Sequence, residues 1–318
     1  MSPLKRSYTI IGTGAVGGFY GACLQRAGFE VHFLVHNDYE HVRQHGLVIE
    51  SKEGDFTLPN VYAYRDVQEI PTTDVIVIAL KATQNHLLAH LLPPLVKDDS
   101  VILVLQNGLG VEEEIAQIVG NKNIIGGLCF LCSNKIGPGH IRHIDYKAIT
   151  LAKYAEGYRA CGTTEHMVHL SDDFQEANIP ITLFEDLWIA RWKKLVWNIP
   201  YNGLSVVLNA TTQELMANIN SRNLVEQLMK EVLLGAQTPN RSISETFIQE
   251  MLDHTEKMEP YRTSMKIDYD EHRPMEVEAI LGNPLCSSRD RGIELPQVSM
   301  LYQELKFLNA RNTQDRRK

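Results

Sequence analysis

Lys194, Asn198 and Asn202 recur at intervals of four in the run Arg191-Trp192-Lys193-Lys194-Leu195-Val196-Trp197-Asn198-Ile199-Pro200-Tyr201-Asn202. On an α-helix a step of four residues turns the side chain by about 40°, so the three form one polar stripe. Leu195, Val196, Trp197 and Ile199 around them are apolar, which places the stripe in or beside a buried surface where amides and an ammonium need partners. Pairing with other protein groups meets that need as well as chemistry does. The chemistry such a stripe offers is ketone reduction: addition of hydride creates an alkoxide, and a lysine ammonium both stabilises that charge and delivers the proton, worth about 10²–10⁴ in rate. Lys193 is out of phase with both asparagines and reads as a surface lysine. Pro200 removes one backbone donor and is expected to kink the helix, moving Asn202 from ideal phase.

A second constellation lies at the start of the chain, where Tyr8-Thr9-Ile10-Ile11 runs directly into Gly12-Thr13-Gly14-Ala15-Val16-Gly17. A helix N-terminus offers unpaired N–H groups and the positive end of its dipole to an anion such as a pyrophosphate. Gly12 permits the tight turn, Gly14 lets the backbone approach the phosphate, and Gly17 lets helix pack against strand. The strand before and the Ala- and Leu-containing helix after supply the context that makes this pattern a dinucleotide site. The choice of nicotinamide cofactor depends on the end of the second strand, where a carboxylate bonds a ribose 2′-hydroxyl and a cation accepts a 2′-phosphate. Val35-His36-Asn37-Asp38 stands there. His36 and Asn37 can both donate to phosphate, which favours NADP, while Asp38 keeps NAD open.

These residues require a sheet and a helical body to hold them. The first half alternates short β-rich runs with helical stretches, the pattern of a parallel sheet wrapped by helices. Strands are expected at Tyr8–Ile11, Val31–Val35, Val75–Leu80, Val101–Leu105 and Ile124–Leu131, mostly as continuous apolar runs buried on both faces. A first helix is expected over Val16–Ala27, ended by Gly28. Gly137-Pro138-Gly139 marks a turn, after which His140–Ile144 and Ala148–Leu151 are expected to pair as a hairpin. From about Leu183 the period becomes helical, with segments at Trp188–Val207, Asn223–Leu234, Ser244–Met258 and Pro296–Leu308. Pro180 interrupts the pattern, so the reading is α/β: an N-terminal Rossmann-type parallel-sheet domain over 1–181 and an all-helical domain over 182–318.

The 318 residues exceed the roughly 250 to 300 at which single cores stop growing, in keeping with two domains. With 31 Lys and Arg against 39 Asp and Glu, the charge balance favours neither nucleic acid nor an anionic membrane surface as partner. A small molecule fits better, and the basic tail Arg316-Arg317-Lys318 reads as a solvated end. No signal pattern opens the chain, and no apolar run approaches the roughly 20 residues of a membrane helix, so a cytoplasmic protein is expected. Five cysteines suit a reducing compartment. Cys129 and Cys132 have CxxC spacing without a second ligand pair, and the histidines form no HExxH group, so no metal site is indicated.

Taken together the motifs resemble the ketopantoate reductase family, the 2-dehydropantoate 2-reductases, across nearly the whole chain. Gly12-Thr13-Gly14-Ala15-Val16-Gly17-Gly18 is similar to that family's GxGAVGG start, Lys81-Ala82-Thr83-Gln84 to its KxxQ element and Asn107-Gly108-Leu109-Gly110 to its NGxG turn. Lys194, Asn198 and Asn202 fit its KxxxNxxxN helix, and Ser264, Asp268 and Glu276 its SxxxD…E segment. The resemblance implies NADPH-dependent reduction of a 2-keto acid with Lys194 as general acid, and Asn107 and Lys81 near nicotinamide and carbonyl. Asn198, Asn202, Ser264 and Glu276 would grip the substrate, and amides and a hydroxyl suit a carboxylate while Glu276 can accept from a hydroxyl. His36 stands where the family commonly has a basic residue, Tyr261 where biosynthetic members tend to have asparagine, and Trp197 and Pro200 are unusual in the lysine helix. Two other readings are an NAD-dependent 3-hydroxy-acid dehydrogenase of related architecture and a dinucleotide-sensing protein without turnover. The helical half has enough apolar stripe to support a homodimer.

Overall fold

The computed structural model describes residues 5–120, 123–260 and 262–315. Tyr261 and the basic tail at Arg316, Arg317 and Lys318 lie outside them. The chain divides into two compact units, one of residues 1–106 and 111–187, the other of residues 107–110 and 188–318. The first unit thus extends past the expected end at 181, because Ile181–Leu183 forms a strand on the sheet.

Among the described residues the first unit carries ten strands: β1 (Ser7–Ile11), β2 (Glu30–Leu34), β3 (Leu47–Ser51), β4 (Phe56–Leu58), β5 (Tyr62–Tyr64), β6 (Val75–Ile78), β7 (Val101–Val104), β8 (Asn123–Gly137), β9 (His140–Lys153) and β10 (Ile181–Leu183). Its helices are α1 (Ala15–Arg26), α2 (Tyr39–His45), α3 (Leu88–Leu91), α4 (Val111–Val119) and α5 (Glu165–Glu176). Strands β5-β2-β1-β6-β7-β8 lie side by side and parallel, the strand order of a Rossmann sheet. The β6 run Val75-Ile76-Val77-Ile78 is wholly buried, as is Ile102-Leu103-Val104 of β7, which is why these strands read as continuous apolar runs.

Beyond β8 the sheet continues through antiparallel β9, then β3 parallel to β9 and β4 antiparallel to β3, while β10 pairs β9. This corrects the expected hairpin. His140–Ile144 and Ala148–Leu151 do not pair with each other; they are parts of one strand, β9, which pairs with β8 across the Gly137–Gly139 turn. The residues taken for a second turn form an irregularity inside the strand: Tyr146 adopts φ 51°, its N–H is held by Asp145 Oδ1 at 2.8 Å, and the register shifts opposite, at Leu131, Cys132 and Ser133.

The second unit is helical: α6 (Leu187–Val207), α7 (Thr212–Ala217), α8 (Ile219–Ala236), α9 (Thr246–Glu256), α10 (Ser264–Asp270), α11 (Asn283–Arg289) and α12 (Pro296–Asp315), with a π-helical turn at Glu278–Gly282 before α11. α6 runs unbroken through Pro200. Trp192, Leu195, Val196, Ile199 and Tyr201 of α6 are buried with Val225, Met229 and Val232 of α8 and Leu301 and Leu305 of α12. Among the described residues no helix is long and apolar enough to cross a membrane.

Candidate active site

The glycine turn has the geometry its sequence requires, and each glycine meets a different constraint. Gly12 has φ +100°, and a Cβ there would stand 2.6 Å from Leu80 N. At Gly17 a Cβ would lie 2.3 Å from the Gly12 carbonyl oxygen and 2.9 Å from Ile10 Cγ2, so the helix sits against the strand only because the side chain is absent. Gly14 differs: nothing lies within 4 Å of a Cβ built there, so the space beside its backbone is open. Helix α1 then begins at Ala15 with no side chain capping it. An open backbone face at an uncapped helix start fits a pyrophosphate, and the residues present therefore suit a dinucleotide. Thr13 Oγ1 donates to the Leu34 carbonyl at 3.0 Å and ties the turn to the end of β2. Val16 is half-buried.

At the end of β2, His36 is exposed, with Nδ1 2.6 Å from Asn37 Oδ1. Asp38 is turned away from that pair. Its Oδ2 accepts the Gly139 N–H at 2.9 Å and forms an ion pair with Lys135.

Lys81 follows Leu80 at the end of the β6 segment and precedes the short 3-10 helix Ala82–Leu87, with the Gln84 N–H bonded to its carbonyl at 2.8 Å. Gln106, 3% exposed, organises this corner. Its Nε2 donates to the Leu80 carbonyl (2.9 Å) and to Asn85 Oδ1 (2.6 Å), and Asn85 in turn donates to Glu114. Gln106 is the neighbour of Asn107, so one side chain registers the Lys81 turn against the strand end that leads into the Asn107 loop.

Asn107–Gly110 pack with the second unit. Gly108 has φ +96°, and a Cβ there would be 2.3 Å from the Ala279 carbonyl oxygen. The Leu109 N–H donates to that same carbonyl at 2.9 Å, and Asn283 Nδ2 donates to the Leu109 carbonyl at 2.7 Å. The partner segment is the π-helical turn, and such turns recur at functional sites because they re-aim neighbouring side chains. Glu276, 5% exposed, stands two residues before that turn, so the loop of Asn107 and the segment of Glu276 are fixed to each other.

Lys194, Asn198 and Asn202 are 9%, 6% and 3% exposed on α6. Lys193 departs from them: its ammonium lies 4.9 Å from the centre of the Phe247 ring on α9, and Trp197 Nε1 donates to Thr255 Oγ1 on the same helix at 3.0 Å. The Asn202 side chain meets α10 instead, where Oδ1 accepts the Met265 N–H at 3.3 Å. Ser205 Oγ donates to the Asn202 carbonyl at 3.0 Å and lies 2.8 Å from Thr263 Oγ1, which must therefore supply the proton between them. Thr263 also caps α10 by accepting from Lys266 N. Ser264, half-buried, stands between two residues anchored to α6 and is thus held beside the asparagine end of the stripe. Asp268, 1% exposed, receives Arg273 Nε at 2.9 Å.

Arg191 and Glu112 are among the buried charged residues that escaped the sequence reading. Arg191, 1% exposed, precedes Lys194 by three residues, and the helical spacing that revealed Asn198 would have shown it too. Glu112, fully buried at the start of α4, accepts from Tyr158 Oη at 3.1 Å, a pairing across 46 residues that no local pattern discloses. Cys132 and Cys23 pack rather than react: burial pushes the Cys132 thiol up to about 12 and that of Cys23 to about 11.

Comparison with known proteins agrees with this geometry. The family model described as "Ketopantoate reductase PanE/ApbA" matches residues 8–156, and "Ketopantoate reductase PanE/ApbA C terminal" matches residues 186–309. A 2-dehydropantoate 2-reductase from Nostoc sp. (strain PCC 7120) is 64% identical over 308 residues, covering 97% of each chain. The crystal structure of the 2-dehydropantoate 2-reductase from Geobacter metallireducens GS-15 is 41% identical, with a TM-score of 0.90 over 94% of this chain and 99% of that one. A D-mandelate dehydrogenase solved with NADH and anilino(oxo)acetate shares the fold at 21% identity, with a TM-score of 0.86 over 96% of this chain and 99% of that one. With both family segments matched in order and identity of this degree along nearly its full length, the chain belongs to the ketopantoate reductase family.

Proposed function

We propose that this protein reduces 2-dehydropantoate (ketopantoate) to pantoate with NADPH, Lys194 giving the proton. The observation that carries the reading is the buried stripe of Lys194, Asn198 and Asn202 on α6, with the Ser264 helix docked on its far end, in a chain of this family. The dinucleotide, when bound, supplies the hydride; the glycine turn Gly12–Gly17 and α1 hold its pyrophosphate, and His36 and Lys81 complete its binding. Lys194, 9% exposed on α6, stabilises the developing alkoxide and protonates it. Asn198, Asn202 and Ser264 donate to the substrate carboxylate, Glu276 accepts from its hydroxyl, and Asn107 orients the carbonyl. Five free cysteines suit a cytoplasmic setting.

A panel of 2-keto acids assayed with NADPH and NADH in parallel tests the reading. Ketopantoate with NADPH is expected to give the highest kcat/KM; a higher value with another 2-keto acid or with NADH would displace it. Oxidation of 3-hydroxy acids with NAD in the same assay is the mark of the alternative dehydrogenase.

The assembly we infer is a homodimer built through the helical half, where Ile219, Met300 and Phe307 are each about two-thirds exposed (66%, 65% and 66%). Light scattering on the eluting peak is expected to give twice the 36.0 kDa chain mass, and a monomer mass would dispose of the idea.

A further inference from the structure

In dinucleotide-binding folds of this kind an acid at the end of the second strand bonds the ribose 2′-hydroxyl and opposes a 2′-phosphate. The first acid after β2 is Asp38. It stands at the start of α2 and yet makes no side-chain bond to that helix. Its carboxylate is bound instead by the β8–β9 hairpin, through the Gly139 N–H at 2.9 Å and the Lys135 ammonium. The Asp38 side chain is 12% exposed and that of Lys135 33%, so the acid is covered and the cation is the more accessible member.

The same hairpin also reaches α1. Ser133, two residues before Lys135 and so on the same face of β8, donates from Oγ to the Ala15 carbonyl at 3.3 Å. The hairpin therefore runs from the first turn of α1 to the end of β2, the two places where a dinucleotide sets its pyrophosphate and its adenosine ribose. The β2 end carries further hydrogen-bond donors as well: His36 follows Val35, and the cation Arg65 follows Tyr64, whose carbonyl accepts the Val35 N–H at 2.9 Å.

We propose that Lys135 sets the cofactor preference of this chain by neutralising Asp38. With the pair formed, the end of β2 is free of uncompensated negative charge and accepts a 2′-phosphate. Without Lys135, Asp38 becomes the acid that opposes that phosphate and favours a 2′-hydroxyl. Lys135 is a positioning residue, acting through Asp38 rather than on the phosphate. The inference rests on the NADPH reading above and adds to it a selector carried by a distant element.

Calorimetric titration of the full chain with 2′,5′-ADP and with 5′-AMP separates these effects without turnover. Lys135→Met is expected to weaken 2′,5′-ADP about tenfold, the effect of one uncompensated charge near the phosphate at low ionic strength, and to leave 5′-AMP within about twofold. Asp38→Asn is expected to bind 2′,5′-ADP at least as well as the wild type. In the Asp38→Asn background, Lys135→Met is expected to cost less than about threefold, because no acid remains to be neutralised. An equal loss in both backgrounds would mean that Lys135 touches the phosphate itself and would overturn the proposal. Equal losses for both nucleotides would reduce Lys135 to a structural latch, and no change would remove it altogether. A wild-type chain preferring 5′-AMP would sink the NADPH reading instead, while the ratio between variant and wild type would still report the charge pair.

Discussion

Replacing Lys194 with alanine is expected to lower kcat for ketopantoate reduction by about 10²–10⁴ while NADPH binds within about twofold of the wild type. The lysine is 9% exposed on a helix face whose next polar positions are Asn198 and Asn202, so neither water nor the neighbouring Lys193 replaces its proton readily. Lys193 provides the internal control. Its ammonium sits over Phe247, and Lys193→Ala is expected to change kcat less than about threefold. Because alanine at Lys194 also leaves space in a packed helix, Lys194→Met should be measured beside it: the same loss in both variants assigns the effect to the charge rather than the cavity. Stopped-flow reduction and a dinucleotide titration on the same preparation check the split, and normal turnover of Lys194→Ala on ketopantoate would end the assignment.

The second large effect separates two glycines three residues apart. Gly17→Ala is expected to destabilise the apo protein by about 3 kcal/mol, seen as a drop of roughly 5–10 °C in the thermal midpoint of the sheet unit, because its Cβ meets the Gly12 carbonyl oxygen at 2.3 Å, Ala79 Cβ at 2.8 Å and Ile10 Cγ2 at 2.9 Å. Gly14→Ala is expected to leave that midpoint within about 1 °C: its backbone, at φ −96° and ψ −155°, suits any residue, and its Cβ meets nothing. Dinucleotide affinity should respond in the opposite sense. At Gly14 the added methyl fills the space a pyrophosphate needs, and binding is expected to weaken about 100-fold. Melting curves and titrations of the two variants decide the matter; a Gly14→Ala protein that binds NADPH normally would show that the phosphate does not approach this backbone.

The parts legible in the sequence are those fixed by short-range periodicity. Val75–Ile78 and Val101–Val104 are recognisable as strands because burial on both faces demands an unbroken apolar run, and α6 because its polar residues return every four. The short strands β3, β4 and β5 carry no such signal, since three to five residues at or near a sheet edge are too few to show a period. The break at Asp145-Tyr146 misled for a related reason. A polar residue beside one with positive φ marks a turn and a β-bulge alike, and only the pairing partner distinguishes them.

The glycine turn, the parallel sheet, the helical second unit and the stripe of Lys194, Asn198 and Asn202 each depend on residues close along the chain, and so are readable there. Where the side chains of Asp38, Gln106 and Lys193 go, and how the loop of Asn107 and the helix of Ser264 are anchored, depends on packing between distant elements. Asp38 is bound by a hairpin some hundred residues downstream, and Gly108 is pressed against Ala279. Contacts of that range arise when separate elements pack, and the free energy that selects them belongs to the packed fold rather than to any segment of it.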